Sequence, residues 1–130
     1  MAADTNISDL CPELQIIYRQ WLAQCHAAGL AVKVIVTWRD AANQNAAKAA
    51  GLSKACFGAS PHNCCDDTGA PASKAFDFAV FDENACYITD GADTRYRQAG
   101  EIGKGLGLVW GGDWVHFKDF DHLELNNWKG

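Results

Sequence analysis

Four residues of the chain are of types that do chemistry together: His62, Asp77, Asp119 and His122. Two imidazoles and a carboxylate are costly to bury among apolar neighbours unless a cation compensates them. A divalent metal is such a cation. Zinc takes His nitrogen and carboxylate oxygen, and a catalytic zinc keeps three protein ligands and one open position. His62, Asp77 and His122 make that set, although other divalent metals suit the same ligands. Asp119 lies three residues before His122, within reach of a water at the open position, where a general base has to be. The stretch from Trp110 to Leu125 concentrates these groups. It holds two His, three Asp and one Glu among aromatics, and it cannot complete the site without His62 and Asp77.

The elements that carry these residues must bring them together. Residues 75–81 (AFDFAVF) read as a strand. Phe76, Phe78 and Val80 face one side of it, and Ala75, Asp77, Ala79 and Phe81 face the other. The small Ala neighbours leave room around Asp77. In His122-Leu123-Glu124-Leu125 the alternation repeats, with His122 and Glu124 on one face. If the two strands pair antiparallel, Asp77 and His122 stand side by side. His62 lies on the loop that enters the Asp77 strand. Asp121, adjacent to His122, is expected to face the opposite side of its strand and ranks below Asp119 as a base.

The remaining elements follow from periodicity and punctuation. Residues 8–28 read as an amphipathic helix, with Pro12 in its first turn, Leu14, Ile17, Trp21 and Cys25 at helical spacing, and Gly29 at its end. Residues 30–37 (LAVKVIVT) are β-branched and apolar, hence a strand. Asp40 is an N-cap for an Ala-rich helix over 41–50, closed by Gly51. Residues 85–89 are expected to return as a strand after a turn at 82–84. Thr94 caps a helix running to about Gly103, and residues 108–110 form a short strand. The sum is an α+β fold, with helices packed on a small antiparallel sheet, in one domain over residues 1–130.

Arg39 falls where a strand ends and a helix begins. It reads either as a surface Arg or as a guanidinium aimed into a cleft, ready for a carboxylate or a developing oxyanion. Asp113 reads as a turn residue or as a partner behind the ligands. His116 reads as a surface residue or as a support for ligand or substrate. His26 reads as a helix-end imidazole near the C-terminal dipole.

Composition limits the classes of function. An apolar content of 48% is that of a globular chain. A net charge of −5 argues against nucleic acid or an anionic membrane surface as main partner, and no apolar run is long enough for a membrane span. Residues 1–6 lack the basic region and apolar core of a secretory signal, so the six cysteines are expected to be thiols at synthesis. Cys11 and Cys25 fit small core positions. Cys56, Cys64 and Cys65 lie in a loop they could cross-link. Because a disulfide between adjacent residues is strained, the partner of Cys64 or Cys65 would be Cys56 or another distant cysteine.

The order Ser60-Pro61-His62, Ala75-Phe76-Asp77, Asp119-Phe120-Asp121-His122 resembles the SxH, AxD and D/E-x-x-H motifs of the LAS zinc peptidases, over roughly residues 10–125. That group includes D-Ala-D-Ala carboxypeptidases and dipeptidases and shares its fold with the hedgehog signalling domain. The run Trp110-Gly111-Gly112-Asp113-Trp114 is most similar to the phage endolysin branch, the L-alanyl-D-glutamate endopeptidases. The resemblance implies a Zn2+ site of His62, Asp77 and His122, with Asp119 as base, Arg39 near the substrate and Ser60 in support. It implies a peptidoglycan stem peptide as substrate, cut between L-Ala and D-Glu. A monomer made in the host cytoplasm and acting on the wall after release is expected. Two alternatives stay open: a D,D-carboxypeptidase or dipeptidase on the same scaffold, and a non-enzymatic zinc-stabilised binding module. Fourteen residues separate His62 from Asp77, more than the family pattern has, and Ser73 takes the place of a Gly. The added stretch reads as a cleft wall or as a surface excursion.

Overall fold

A computed structural model of the chain describes residues 3–53 and 57–129. The first helix, α1, spans Pro12–Ala27. It starts later than its apolar periodicity, because Ile7–Asp9 form a separate 3-10 turn capped by Asn6 and proline suits the first position of a helix. Strand β1 (Ala31–Val36) follows. Helix α2 (Ala41–Ala49) is capped by Asp40, whose side chain accepts from the Asn43 amide. Strand β2 covers Ala75–Phe81. Helix α3 (Thr94–Gly105) is capped by Asp93 and not by Thr94, since the Asp93 carboxylate accepts from the Arg95 amide. Strands β3 (Leu108–Trp110) and β4 (His122–Leu125) complete the sheet.

The sheet order is β1-β2-β4-β3, and every pairing is antiparallel. Asp77 lies opposite His122 in the β2–β4 register. The β1–β2 register shifts between Val34 and Val36. The bulge sets Val36 against Asp77 and bends β1 beside the site, a common use of such irregularities.

The expected strand over 85–89 does not form. Asp82 accepts from the Asn84 and Cys86 amides and closes a turn, and Ala85 takes a φ of 61°, which ends extended backbone. Only a single bridge, Phe81 to Tyr87, remains of the pairing.

The core lies between the sheet and helices α1 and α3. Phe76 and Phe78, both fully buried, meet the Trp21 ring at centroid separations of 5.1 and 5.0 Å. Burying such rings stabilises the fold by on the order of 1.5–3 kcal/mol each. Trp21 is buried without an orphan donor, because its Nε1–H reaches the Ala99 carbonyl at 2.9 Å. Cys11 and Cys25 sit in this core. Cys64 is half-buried and Cys65 is exposed, both as thiols; Cys56 lies outside the described residues. With Phe76, Phe78, Val80, Leu123 and Leu125 committed to the core, strand alternation turns Asp77, His122 and Glu124 to the other face. Among the described residues, no helix is long and apolar enough to cross a membrane.

Candidate metal centre

A cleft of about 610 Å³ lies on that second face. Its floor is polar, with His62, Asp77, His122, Asp119, Asp121 and Glu124. Trp114, Phe117, Tyr87 and Trp128 contribute aromatic walls.

His62 is delivered by a 3-10 turn, Pro61–Asn63. Ser60 caps it by accepting from the His62 amide at 3.2 Å, and Asn63 Oδ1 accepts from the Ser60 amide in return. The turn is stitched to the end of β1, where Arg39 donates its amide to the His62 carbonyl at 2.9 Å. The stretch of extra residues leaves this arrangement alone. It folds back on itself: the Ala72 amide reaches the Cys64 carbonyl, and the Lys74 amide reaches the Pro61 carbonyl at 3.0 Å. Residues 65–70 are exposed, and none of the excursion lines the cleft. It is a surface excursion, not a cleft wall. Ser73, at the expected Gly position, is fully buried and bonds the Ala75 carbonyl through its hydroxyl at 2.6 Å.

His62 Nδ1 lies 2.8 Å from the Thr37 carbonyl oxygen. A carbonyl only accepts, so Nδ1 carries the proton and Nε2 presents a lone pair. That Nε2 is 3.2 Å from Asp77 Oδ1. His122 mirrors it. With its Nε2–H on Glu124 Oε1 at 2.8 Å, the neutral ring turns the Nδ1 lone pair to the same Asp77 oxygen at 2.9 Å. Ligand atoms of the three residues all lie within 4.8 Å of one another. In these neutral tautomers two imidazole lone pairs and a carboxylate oxygen converge in a buried spot. Such a convergence requires a cation. Two nitrogens and one oxygen, each outer imidazole N–H fixed by an oxygen acceptor, suit a divalent metal with an open position.

The electrostatics express the same demand. Burial works against the charged form of Asp77, but the neighbouring His62 and His122 imidazoles, in their charged forms, hold its carboxyl well below the usual carboxylate range. Burial works against a charged His122 as well, but its bonds to Asp77 and Glu124 push its pKa up to about 10. A proton or a metal must sit where these groups meet.

Asp119 Oδ2 is 3.9 Å from His122 Nδ1. Gly111 gives it that place. The Asp119 amide donates to the Gly111 carbonyl at 3.0 Å, and a Cβ on Gly111 would collide with the Asp119 backbone oxygen. Arg39 Nη2 stands 3.5 Å from Asp77 Oδ2, so the guanidinium lies in the cleft and not on the outer surface.

One sequence expectation changes here, and two open alternatives are decided. Asp121 does not face away: carboxylate oxygens of Asp77, Asp119 and Asp121 lie within 4.8 Å of one another. Strand β4 begins only at His122, so alternation does not govern Asp121. Burial first, then the charge of Asp77 and a hydrogen bond with Asp119, push the Asp121 carboxyl up to about 9. Asp113 is away from the cleft and pairs with Lys104 Nζ at 2.8 Å. His116 is exposed and does not line the cleft. Alternation places Glu124 on the His122 face, and the i, i+2 spacing of an acid and an imidazole on a strand is the sequence signal of their pairing.

Residues 23–125 match the model of a peptidase M15 family described as D-alanyl-D-alanine carboxypeptidase. The chain belongs to this family. Peptidases of this family are typically metal-dependent, which accords with the His/Asp cluster. The peptidoglycan L-alanyl-D-glutamate endopeptidase CwlK of Bacillus subtilis (strain 168) is 38% identical over a 58-residue alignment that covers 39% of this chain. The match spans 35% of CwlK, about a third of its length. The crystal structure of the Serratia marcescens L-Ala D-Glu endopeptidase ChiX superposes with a TM-score of 0.64. It covers 93% of this chain and 84% of ChiX at 21% identity. The α+β fold is therefore shared by a family member and a protein of low sequence identity.

Proposed function

We propose that the chain is a zinc-dependent endopeptidase of the peptidoglycan stem peptide, cutting between L-Ala and D-Glu. The observation that carries this reading is the convergence of His62 Nε2 and His122 Nδ1 on one Asp77 oxygen, with Asp119 beside them in an open cleft. The names of CwlK and ChiX support the choice of bond.

His62, Asp77 and His122 would hold the zinc, which supplies Lewis acidity toward a peptide carbonyl and toward water. Asp119 takes the proton of the attacking water and returns it to the leaving amine. Glu124 and the Thr37 carbonyl hold the two imidazoles in the tautomers that face inward. Arg39 presents a planar fork to the free α-carboxylate of D-Glu, next to the scissile bond. Trp114, whose ring centroid lies 5.2 Å from that of His122, shields one side of the site from solvent.

The reading extends to a lytic enzyme of the phage endolysin type, a monomer made in the host cytoplasm that meets the wall on release. The likeness of the Trp110–Trp114 run to that branch supports it. The deciding experiment is mass spectrometry and end-group analysis of purified wall after digestion. New D-Glu amino termini support the endopeptidase. Release of free D-Ala would move the activity to the D,D-carboxypeptidase that the family description names, and release of D-Ala-D-Ala would move it to a dipeptidase. Absence of any product would leave a zinc-stabilised binding module.

A further inference from the structure

The geometry points to Gln44 as a positioning residue that sets Arg39 and the His62 turn from one buried amide. The two described buried residues of α2 are Gln44 and Ala47. The helix therefore has little apolar reason to dock where it does, and its large inward side chain is polar and fully buried. A primary amide in that position is costly unless every polar atom is bonded.

The bonds it makes lead to the site. Gln44 Oε1 accepts from Arg39 Nη1 at 3.2 Å and from Asn63 Nδ2 at 3.3 Å. Gln44 Nε2 donates to Ser53 Oγ at 3.0 Å. Asn63 continues the chain of contacts: its Nδ2 donates to the Arg39 carbonyl at 2.9 Å, and its Oδ1 accepts from the Gly58 and Ser60 amides. Arg39 is thus held at both ends, by Gln44 through Nη1 and by Asp77 through Nη2. A guanidinium has five N–H donors, so such a clamp orients the fork and still leaves donors for a substrate. The same amide, through Asn63, braces the turn that delivers His62. Gln44 touches neither metal ligand atoms nor substrate; it acts through Arg39 and Asn63.

The proposal rests on the endopeptidase reading for its kinetic consequence, and its test separates the two. Gln44→Glu keeps an acceptor for Arg39 and Asn63. Gln44→Met matches the volume and removes the acceptor. If Gln44 only fills space, the uncharged Met variant is at least as active as the Glu variant, because it has no charge to desolvate. Positioning predicts the reverse order. Gln44→Met should lose about 10- to 100-fold in kcat/KM, the scale of one hydrogen bond to a charged group, with Gln44→Glu closer to wild type and zinc content unchanged in both. In an Arg39→Ala background the difference between the two should vanish. If Gln44→Met does not fold, Gln44→Asn, which withdraws the acceptor by one methylene, takes its place with the same expected loss. Nitrogen-15 NMR of the Arg39 guanidinium gives a reading that needs no turnover. Hindered rotation in wild type and Gln44→Glu, lost in Gln44→Met or Gln44→Asn, supports the clamp. A wild type that cuts no muropeptide refutes the function, and the NMR alone then judges the clamp. A wild type that turns over, with Gln44→Met equal to it or with Arg39 rotating alike in all forms, overturns the positioning role.

Discussion

Asp77 faces His122 across the β2–β4 ladder, with Asp77 Oδ1 2.9 Å from His122 Nδ1. The same oxygen is 3.2 Å from His62 Nε2. Each imidazole has its other nitrogen tied to an oxygen behind it. A ladder pair that would ordinarily be a matter of sheet packing is here the base of a buried His/Asp cluster.

Metal content tests this relationship directly. The expected value is about one zinc per chain, as for a three-ligand catalytic site, lost in His122→Ala and in Asp77→Ala. Glu124→Ala should retain the ligands but weaken metal affinity by about 10- to 100-fold, since it fixes the tautomer of His122. Elemental analysis and competition with a chelator measure both. A fully active protein with no stoichiometric metal would contradict the assignment.

Asp119 and Asp121 are separated by their variants. Asp119→Ala should keep metal and fold and lose about 10²- to 10⁴-fold in turnover, the usual cost of a missing general base. Asp121→Ala removes a neighbour of the base and leaves the base itself, so its loss should be smaller. Reversed effects would assign the base to Asp121. Gly111→Ala should behave like a mild Asp119 variant, because its Cβ would displace the Asp119 backbone.

Alkaline pH should weaken the fold through groups held protonated in the core. Burial pushes the Cys25 thiol from its ordinary 9.0 up to about 12, and burial is the leading cause that pushes the Tyr96 phenol from 10.0 up to about 12. The folded state binds these protons more tightly than the unfolded chain, so their contribution is full below pH 9 and is lost as pH rises toward 12. Urea midpoints from pH 8 to 11 should fall, less steeply in Cys25→Ala than in wild type. In the native state at pH 8, Cys25 should resist alkylation while the exposed Cys65 and Cys86 react. Alkylation of Cys25 at a rate equal to theirs would contradict its burial.

The excursion between His62 and Asp77 should be dispensable to the site. The Pro61 carbonyl already receives the Lys74 amide across its neck. Replacing residues 66–70 by Asn-Gly, the sequence of a tight hairpin turn, should leave metal content and turnover within about twofold, because loop length costs little. Loss of zinc on shortening would show that the excursion braces His62.

Much of this protein was legible in the sequence. The alternation in residues 75–81 and 122–125 placed Asp77, His122 and Glu124 on the face opposite the core, because side chains on a strand alternate by a period of two. The order of motifs around Ser60, Asp77 and His122 points to the family without reference to the fold. Local rules reached their limit where strands end. Asp121 precedes β4 by one residue, so its direction is set by the turn through Asp119, and Ala85 breaks its expected strand with one left-handed residue. Tertiary structure alone decided which partners stand behind the ligands. Thr37 meets His62 from 25 residues away, and Gln44 reaches Asn63 across 19. Contacts of that separation leave no periodicity in a sequence, because they are made by packing one element's end against another's. The segregation of apolar from polar faces is written in local spacing; the meeting of two imidazoles, a carboxylate and a buried amide depends on where the sheet register and the helix docking bring them.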